Sequence, residues 1–300
     1  MLTDSRDRRR ATSRAFQVRP QLVAGVTILA IAWTLAWTEG APLREFTFFP
    51  LWLGYILTVD GIVAARTGTS LLCRGSLPFL RLFLFSAPLW WLFEFANQSL
   101  GNWHYVLPHS YGDVEYVLLA SISFSTVIPA VFETAELYRS FTPFARSRTW
   151  LRLWLPRTGL MTVMLVGIAM FALSVIFPGT AFPLVWIGLF LTIDPANALL
   201  GGNSISSQVA KGRWDTVLVL FAAGLTCGVF WEMWNYWSMP KWTYDVPYLD
   251  RPLIFEMPLV GYGGYLPFAL EVYAAYQLLV WVITRRPDKY LRFEHPSLDG

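Results

Sequence analysis

The chain has 300 residues, 55% of them hydrophobic and only 14% charged, with a formal net charge of +3. A water-soluble domain carries nearer to a quarter charged residues, and 15 Trp, 13 Tyr and 22 Phe are rings that gather where an apolar body meets a wet edge. Composition therefore excludes an ordinary soluble protein and points to an all-α polytopic membrane bundle, whose first partner is lipid.

A basic tail, 1–20, comes first and carries Arg6, Arg8, Arg9, Arg10, Arg14 and Arg19. The apolar run after it is long for a signal peptide and no small-x-small cleavage site follows, so it reads as a retained span. A membrane crossing needs about 20 mainly apolar residues in a helix. Eight stretches qualify: 21–38, 48–65, 79–98, 117–138, 157–178, 181–200, 214–237 and 259–284. Pro178-Gly179-Thr180 is a turn signal and makes a hairpin of the fifth and sixth spans.

Eight spans put both termini on one side. That side collects twenty Lys and Arg, including Arg66, Arg74, Arg81, five in 139–157, Lys211, Arg213 and four in 285–292. The other side has Arg44, Lys241 and Arg251. The bias makes the termini cytoplasmic and the location an inner, cytoplasmic membrane. The net charge then reads as topology, and nucleic acid is not a partner. Cys73 and Cys227 fall in different contexts and form neither a disulfide nor a metal spacing. His104 and His109 share one loop with no counterpart elsewhere, so no metal site is expected. No cofactor is specified.

The sequence also repeats itself. Trp52, Gly54, Leu57, Thr58 and Asp60 return as Trp186, Gly188, Leu191, Thr192 and Asp194, an offset of 134. Glu94 and Asn97 return as Glu232 and Asn235 at an offset of 138, as do Pro129, Glu133 and Tyr138 as Pro267, Glu271 and Tyr276. Trp103 and Tyr105 return as Trp242 and Tyr244, offset 139. This predicts two four-span repeats of the same orientation, 21–138 and 157–284, related by an axis along the membrane normal. A linker, 139–156, joins them, with Phe141, Phe144, Trp150 and Trp154 among arginines as a surface-lying mix. A tail, 285–300, follows.

The doubled acids Asp60, Glu94, Glu133, Asp194, Glu232 and Glu271 lie within spans. A carboxylate near mid-bilayer costs several kcal/mol unless it is protonated or faces a polar cavity. That penalty makes all six candidate catalytic groups. Asp60 falls roughly 18 Å into a core about 30 Å thick. Glu94 and Glu232 fall near the outer boundary, and Glu133 and Glu271 near the middle or inner half. Glu94 and Asn97, and Glu232 and Asn235, are i, i+3 pairs on one helix face, so each amide is expected to bond its carboxyl or to bind the same ligand. Asp60-Gly61 and Asp194-Pro195 place a breaker after an acid and predict interrupted helices lining a cavity. Pro129 and Pro267 predict bends one turn before Glu133 and Glu271. Gly54, Gly188, Thr58 and Thr192 read as close-packing positions between helices.

The loops after the third span of each repeat hold Trp103-His104-Tyr105 and Trp242-Thr243-Tyr244. They read either as an aromatic belt or as a lid whose Trp103, Tyr105, Trp242 and Tyr244 join Asn97 and Asn235 in binding substrate.

An acid at the end of a span followed by W-x-Y in a loop resembles the lycopene cyclase domain of carotenoid biosynthesis, over three spans of each repeat. Glu94 with Trp103 and Tyr105, and Glu232 with Trp242 and Tyr244, carry the resemblance. The family's acidic pair after Pro is missing: Pro258 is followed by Leu259, Val260 and Gly261. The chain is also similar to bacterial multi-pass membrane proteins with a doubled E-x-x-N pattern. The resemblance implies an isoprenoid-like substrate and acid-catalysed addition or cyclisation at a double bond. Three function classes stand at this point: an intramembrane enzyme on an apolar lipid, a proton-coupled transporter or exporter, and a non-catalytic assembly factor.

Overall fold

The computed structural model describes residues 19–141, 150–246 and 251–293. The tail through residue 18, Phe144, Arg146 and Arg148 in the linker, and His295 lie outside the described residues. Among the described residues, eight helical segments are long and apolar enough to cross a membrane. The protein is an all-α multi-pass membrane bundle.

Helix α1 (Pro20–Trp37) lies along α2 (Phe48–Thr67). A short helix α3 (Leu71–Arg74) turns the chain into α4 (Ser76–Leu100). Strand β1 (Trp103–Val106) follows, then α5 (Asp113–Phe124) and α6 (Val127–Arg139) make the fourth crossing. The second half repeats the order. Helix α7 (Arg157–Ile176) lies along α9 (Val185–Leu200), with the short α8 (Pro178–Ala181) between them. Then come α10 (Ile205–Ala210), α11 (Asp215–Tyr236), β2 (Lys241–Tyr244), β3 (Leu253–Ile254), β4 (Met257–Pro258) and α12 (Tyr265–Thr284). The halves meet where α6 packs on α11 and α12 on α4.

Helices α1 and α7 are the outermost, and they present Val23, Val26 and Ile31, and Leu165, Val166 and Ile168, outward. Lipid offers no hydrophobic drive for such helices to dock, so close backbone approach must hold them. A Cβ on Gly25 would fall on the backbone of Leu57 and Thr58, and one on Gly167 on that of Leu191 and Thr192. Gly54 meets Leu29 and Gly188 meets Phe171 in the same way. The threonines bond within their own helices, Thr58 Oγ1 to the Gly54 carbonyl and Thr192 Oγ1 to that of Gly188, both at 2.7 Å. Their hydroxyls are thereby satisfied without reaching across.

Two expectations about helix breaks are corrected. Helices α2 and α9 run straight through Asp60-Gly61 and Asp194-Pro195 and end later, at the left-handed glycines Gly68 (φ 84°) and Gly201 (φ 77°). Pro129 and Pro267 do not bend a helix interior, because each sits in the first turn of α6 and α12, where a missing N–H costs nothing. The fourth crossing breaks just before, at Ser125-Thr126. Ser86 bridges that break: its hydroxyl donates to the Phe124 carbonyl (2.5 Å) and accepts from the Ile128 amide (3.1 Å). The equivalent of Ser86 in the second half is Gly224, where α11 comes against the Tyr265 carbonyl.

Strands β1 and β2 pair antiparallel, Trp103 with Tyr244 and Tyr105 with Trp242. The two W-x-Y loops thus join into one small sheet across one end of the bundle. The described chain ends lie at the opposite end. There the segment after α12 is docked rather than free: Tyr290 donates to the Leu71 carbonyl (2.7 Å), Asn203 to that of Asp288 (2.8 Å), and Phe293 packs on Phe132. The linker rejoins at this end, with the Trp150 amide on Gly212 and the Leu153 amide on Val209.

Candidate functional site

Under the β1–β2 sheet, where the halves meet, lies a cavity of about 240 Å³. Its wall comes from both halves. Trp90, Trp103, Phe124, Trp186, Trp231 and Phe268 supply much of it, and the rings contact one another across the seam: Trp90 on Phe268 at 6.0 Å, Trp103 on Trp186 at 6.3 Å and Phe93 on Trp186 at 5.7 Å. The wall rings come from both halves and touch across the seam, so neither repeat holds this cavity alone.

Glu94 and Glu232 stand directly behind the wall. Three donors converge on Glu94 Oε1: Tyr105 Oη at 2.6 Å, Trp90 Nε1 at 2.8 Å and Trp103 Nε1 at 3.1 Å. Two phenols converge on Glu232 Oε1, Tyr244 and Tyr265, each at 2.7 Å. All five donors line the cavity, whereas neither carboxylate does. The groups facing a ligand are therefore phenols and indoles, each backed by a carboxylate. Burial pushes the Tyr105 and Tyr244 hydroxyls well above the usual phenol range, and the carboxylate each one serves pushes the same way. Both stay neutral donors at physiological pH.

The two half-sites are not copies. At the position of Trp90 the second half has Gly228, and at the position of Val127 it has Tyr265. A Cβ on Gly228 would strike the Tyr265 ring. The ring that bonds the glutamate thus comes from the same helix in the first half and from the neighbouring helix in the second. One consequence is chemical. Glu232 is fully buried, and its Oε2 has no hydrogen-bond partner among the described residues.

The other expected site residues part company. Asn97 and Asn235 do not bond their glutamates, which corrects the i, i+3 expectation. Asn97 donates to the Trp103 carbonyl (2.8 Å) and accepts from the Asn102 amide (2.9 Å). Asn235 donates to the Trp242 carbonyl (2.7 Å) and accepts from its amide (2.8 Å). Both are clasps that hold W-x-Y against the helix end, where backbone groups would otherwise go unpaired. Asp60 and Asp194 are caps. Asp194 accepts from the Ile205 amide (2.6 Å), the Ser206 amide (2.8 Å) and the Ser206 hydroxyl, at the N-terminus of α10. Asp60 accepts from the Leu72 amide (2.9 Å), Ser70 (2.9 Å) and Gln21 (3.2 Å) at the start of α3. Both lie at the far end from the cavity. Glu133 and Glu271 are fully buried, without a hydrogen-bond partner on either oxygen among the described residues, and do not line the cavity. They sit six residues past Val127 and Tyr265, roughly 9 Å further along α6 and α12.

Tyr265, Trp90, Trp186 and Phe268 went unseen in the sequence because only Trp186 is doubled, and a doubled Trp carries no burial penalty of the kind that marks the acids. The pair Arg74–Glu136 at 2.8 Å, with both side chains under 10% exposed, was also hidden. Arg74 comes from the short helix between spans and folds inward to reach α6.

No family profile, curated protein or solved structure matches the chain. The functional reading accordingly rests on the site itself.

Proposed function

We propose that the protein is an intramembrane enzyme that takes an apolar, isoprenoid-like lipid into the seam cavity and performs acid–base chemistry on a carbon–carbon double bond. The observation that carries the reading is the set of phenols facing an aromatic cavity with a glutamate behind each. Aromatic faces stabilise a cation by their quadrupole, and a positioned acid and base flanking the same cavity meet the needs of proton addition and removal. In the reaction, the Tyr265 hydroxyl turns from Glu232 Oε1 to the ligand, passes its proton to the double bond and takes the Glu232 carboxyl proton in return. The resulting carbocation is closed by a neighbouring double bond, which forms a ring carbon–carbon bond. A proton leaves the adjacent carbon for Glu94 by way of Tyr105. The product is an isomer, and the two carboxyls reset by exchange with water. The lycopene-cyclase resemblance agrees with this class. The basic bias supports a topology with both termini in the cytoplasm and the cavity toward the outer face.

The test is incubation of the purified protein in nanodiscs with acyclic polyprenes in D2O. The expected result is an isomeric product carrying one deuterium, with Glu232→Gln and Tyr265→Phe slowing its formation at least a hundredfold. Absence of deuterated product with the native protein, or full activity in Glu232→Gln, overturns the reading.

A proton-coupled transporter is the second reading, favoured by Glu133 and Glu271, which lie buried without a hydrogen-bond partner among the described residues, further along helices that line the cavity. It requires flux across proteoliposomes that follows a pH gradient and stops in Glu133→Gln.

A further inference from the structure

The cavity is not uniformly apolar. Asn102, immediately before β1, lines the cavity and is only 5% exposed, yet its Oδ1 has no hydrogen-bond partner among the described residues. A buried amide oxygen left empty is costly, because it has given up water and gained no donor. Its backbone is fully engaged: the amide donates to Asn97 (2.9 Å) and the carbonyl accepts from Asp245 (2.9 Å). The side chain is therefore free of any part in joining β1 to β2.

The charges nearby are already matched. Lys241, the counterpart of Asn102 in the second half, holds Glu256 at 2.5 Å. The Glu45 carboxylate takes Tyr111 at 2.7 Å and His109 at 2.9 Å. Both Lys241 and Glu45 line the cavity. An anionic head such as a diphosphate would have to break the Lys241–Glu256 pair and sit beside the Glu45 carboxylate, while a bare hydrocarbon would leave Asn102 unpaired.

We infer that the natural ligand carries one neutral hydrogen-bond donor at its end, a hydroxyl being the simplest, and that Asn102 receives it. The inference rests on the reading of this cavity as a lipid site and narrows it from isoprenoid-like lipids in general to prenyl alcohols or similarly hydroxylated chains. It also orients the ligand, head under the β1–β2 sheet and double bonds against the aromatic wall.

The experiment is equilibrium binding to the full-length protein in detergent, read by quenching of the cavity tryptophans. The probes are geranylgeraniol, its methyl ether and its diphosphate. The ether keeps the chain and the oxygen and lacks only the donor. The expected result is alcohol binding about tenfold tighter than ether, with the diphosphate weaker than both, and an alcohol-to-ether ratio near one in Asn102→Ala. Equal binding of alcohol and ether to the native protein, tightest binding of the diphosphate, or an unchanged ratio in Asn102→Ala overturns the inference. The readout needs no turnover, so absence of catalysis would remove the proposed chemistry and leave this result standing, and the reverse holds equally.

Discussion

Replacing Asp194 with Ala separates a structural acid from a chemical one. In the structure this carboxylate satisfies the Ile205 and Ser206 amides and the Ser206 hydroxyl, and it is 1% exposed. Hydrogen bonds to a charged group contribute about 1.5–3 kcal/mol each. Two of the three donors are backbone amides in the first turn of a helix, with no carbonyl one turn back to take them, so Asp194→Ala is expected to cost about 3–5 kcal/mol. At about 2–4 °C per kcal/mol for a chain of this size, the melting temperature in detergent falls by on the order of 10 °C. Asp60→Ala costs less, because only one of its three donors is a backbone amide, from Leu72, while Ser70 and Gln21 are side chains that can turn elsewhere. The assay is thermal unfolding followed by accessibility of Cys227, which is buried in the fold, to a thiol-reactive dye. A melting temperature within 2 °C of the native value for Asp194→Ala, or a larger loss for Asp60→Ala, would refute the capping argument.

Other outcomes follow from the same geometry. Gly25→Ala and Gly167→Ala each push a Cβ into the facing helix backbone and lower stability by about 1–3 kcal/mol, seen as a drop in melting temperature without change in binding. Asn235→Ala frees both backbone groups of Trp242, and hydrogen exchange in 241–244 is expected to rise while that of α11 does not. The Ser110 carbonyl and then the Glu45 carboxylate raise the His109 pKa above 6.5, and Tyr111, followed by His109, lowers Glu45 below 4.5. Because the His109 value is raised, its share of the contact is complete below pH 6.5 and fades as pH climbs through the raised value. The Glu45 share is present above pH 4.5 and fades as pH falls through the lowered one. Histidine NMR titration should show the His109 pKa moving back toward 6.5 in Glu45→Gln, and no movement would remove the contact.

Much of the membrane architecture was legible before any coordinates. A run of about 20 apolar residues has one stable outcome in lipid, a helix with its backbone bonds made internally, so the eight spans could be read one at a time. Close-packing glycines were legible for the same reason, since Gly54 and Gly188 lie in apolar helices that need contact without side chains. The doubled acids marked expensive positions, and expense is a property of the residue and its local run.

What that expense meant depended on neighbours distant in sequence. Asp194 looked like Glu232 from its surroundings in the chain, yet one meets the open N-terminus of a short helix and the other meets two phenols. Asn235 was on the right face to bond Glu232, but the returning strand offered it backbone groups that had no other partner. Tyr265 carried no sign at all, because its role arises from Gly228, 37 residues earlier, leaving room for its ring. The sequence by itself determined that helices cross, how many do so and which positions are costly, since those follow from local hydrophobicity. Only the tertiary structure decided which costly groups stand behind the cavity and which cap a helix, because hydrogen-bond partners are assigned by packing between segments.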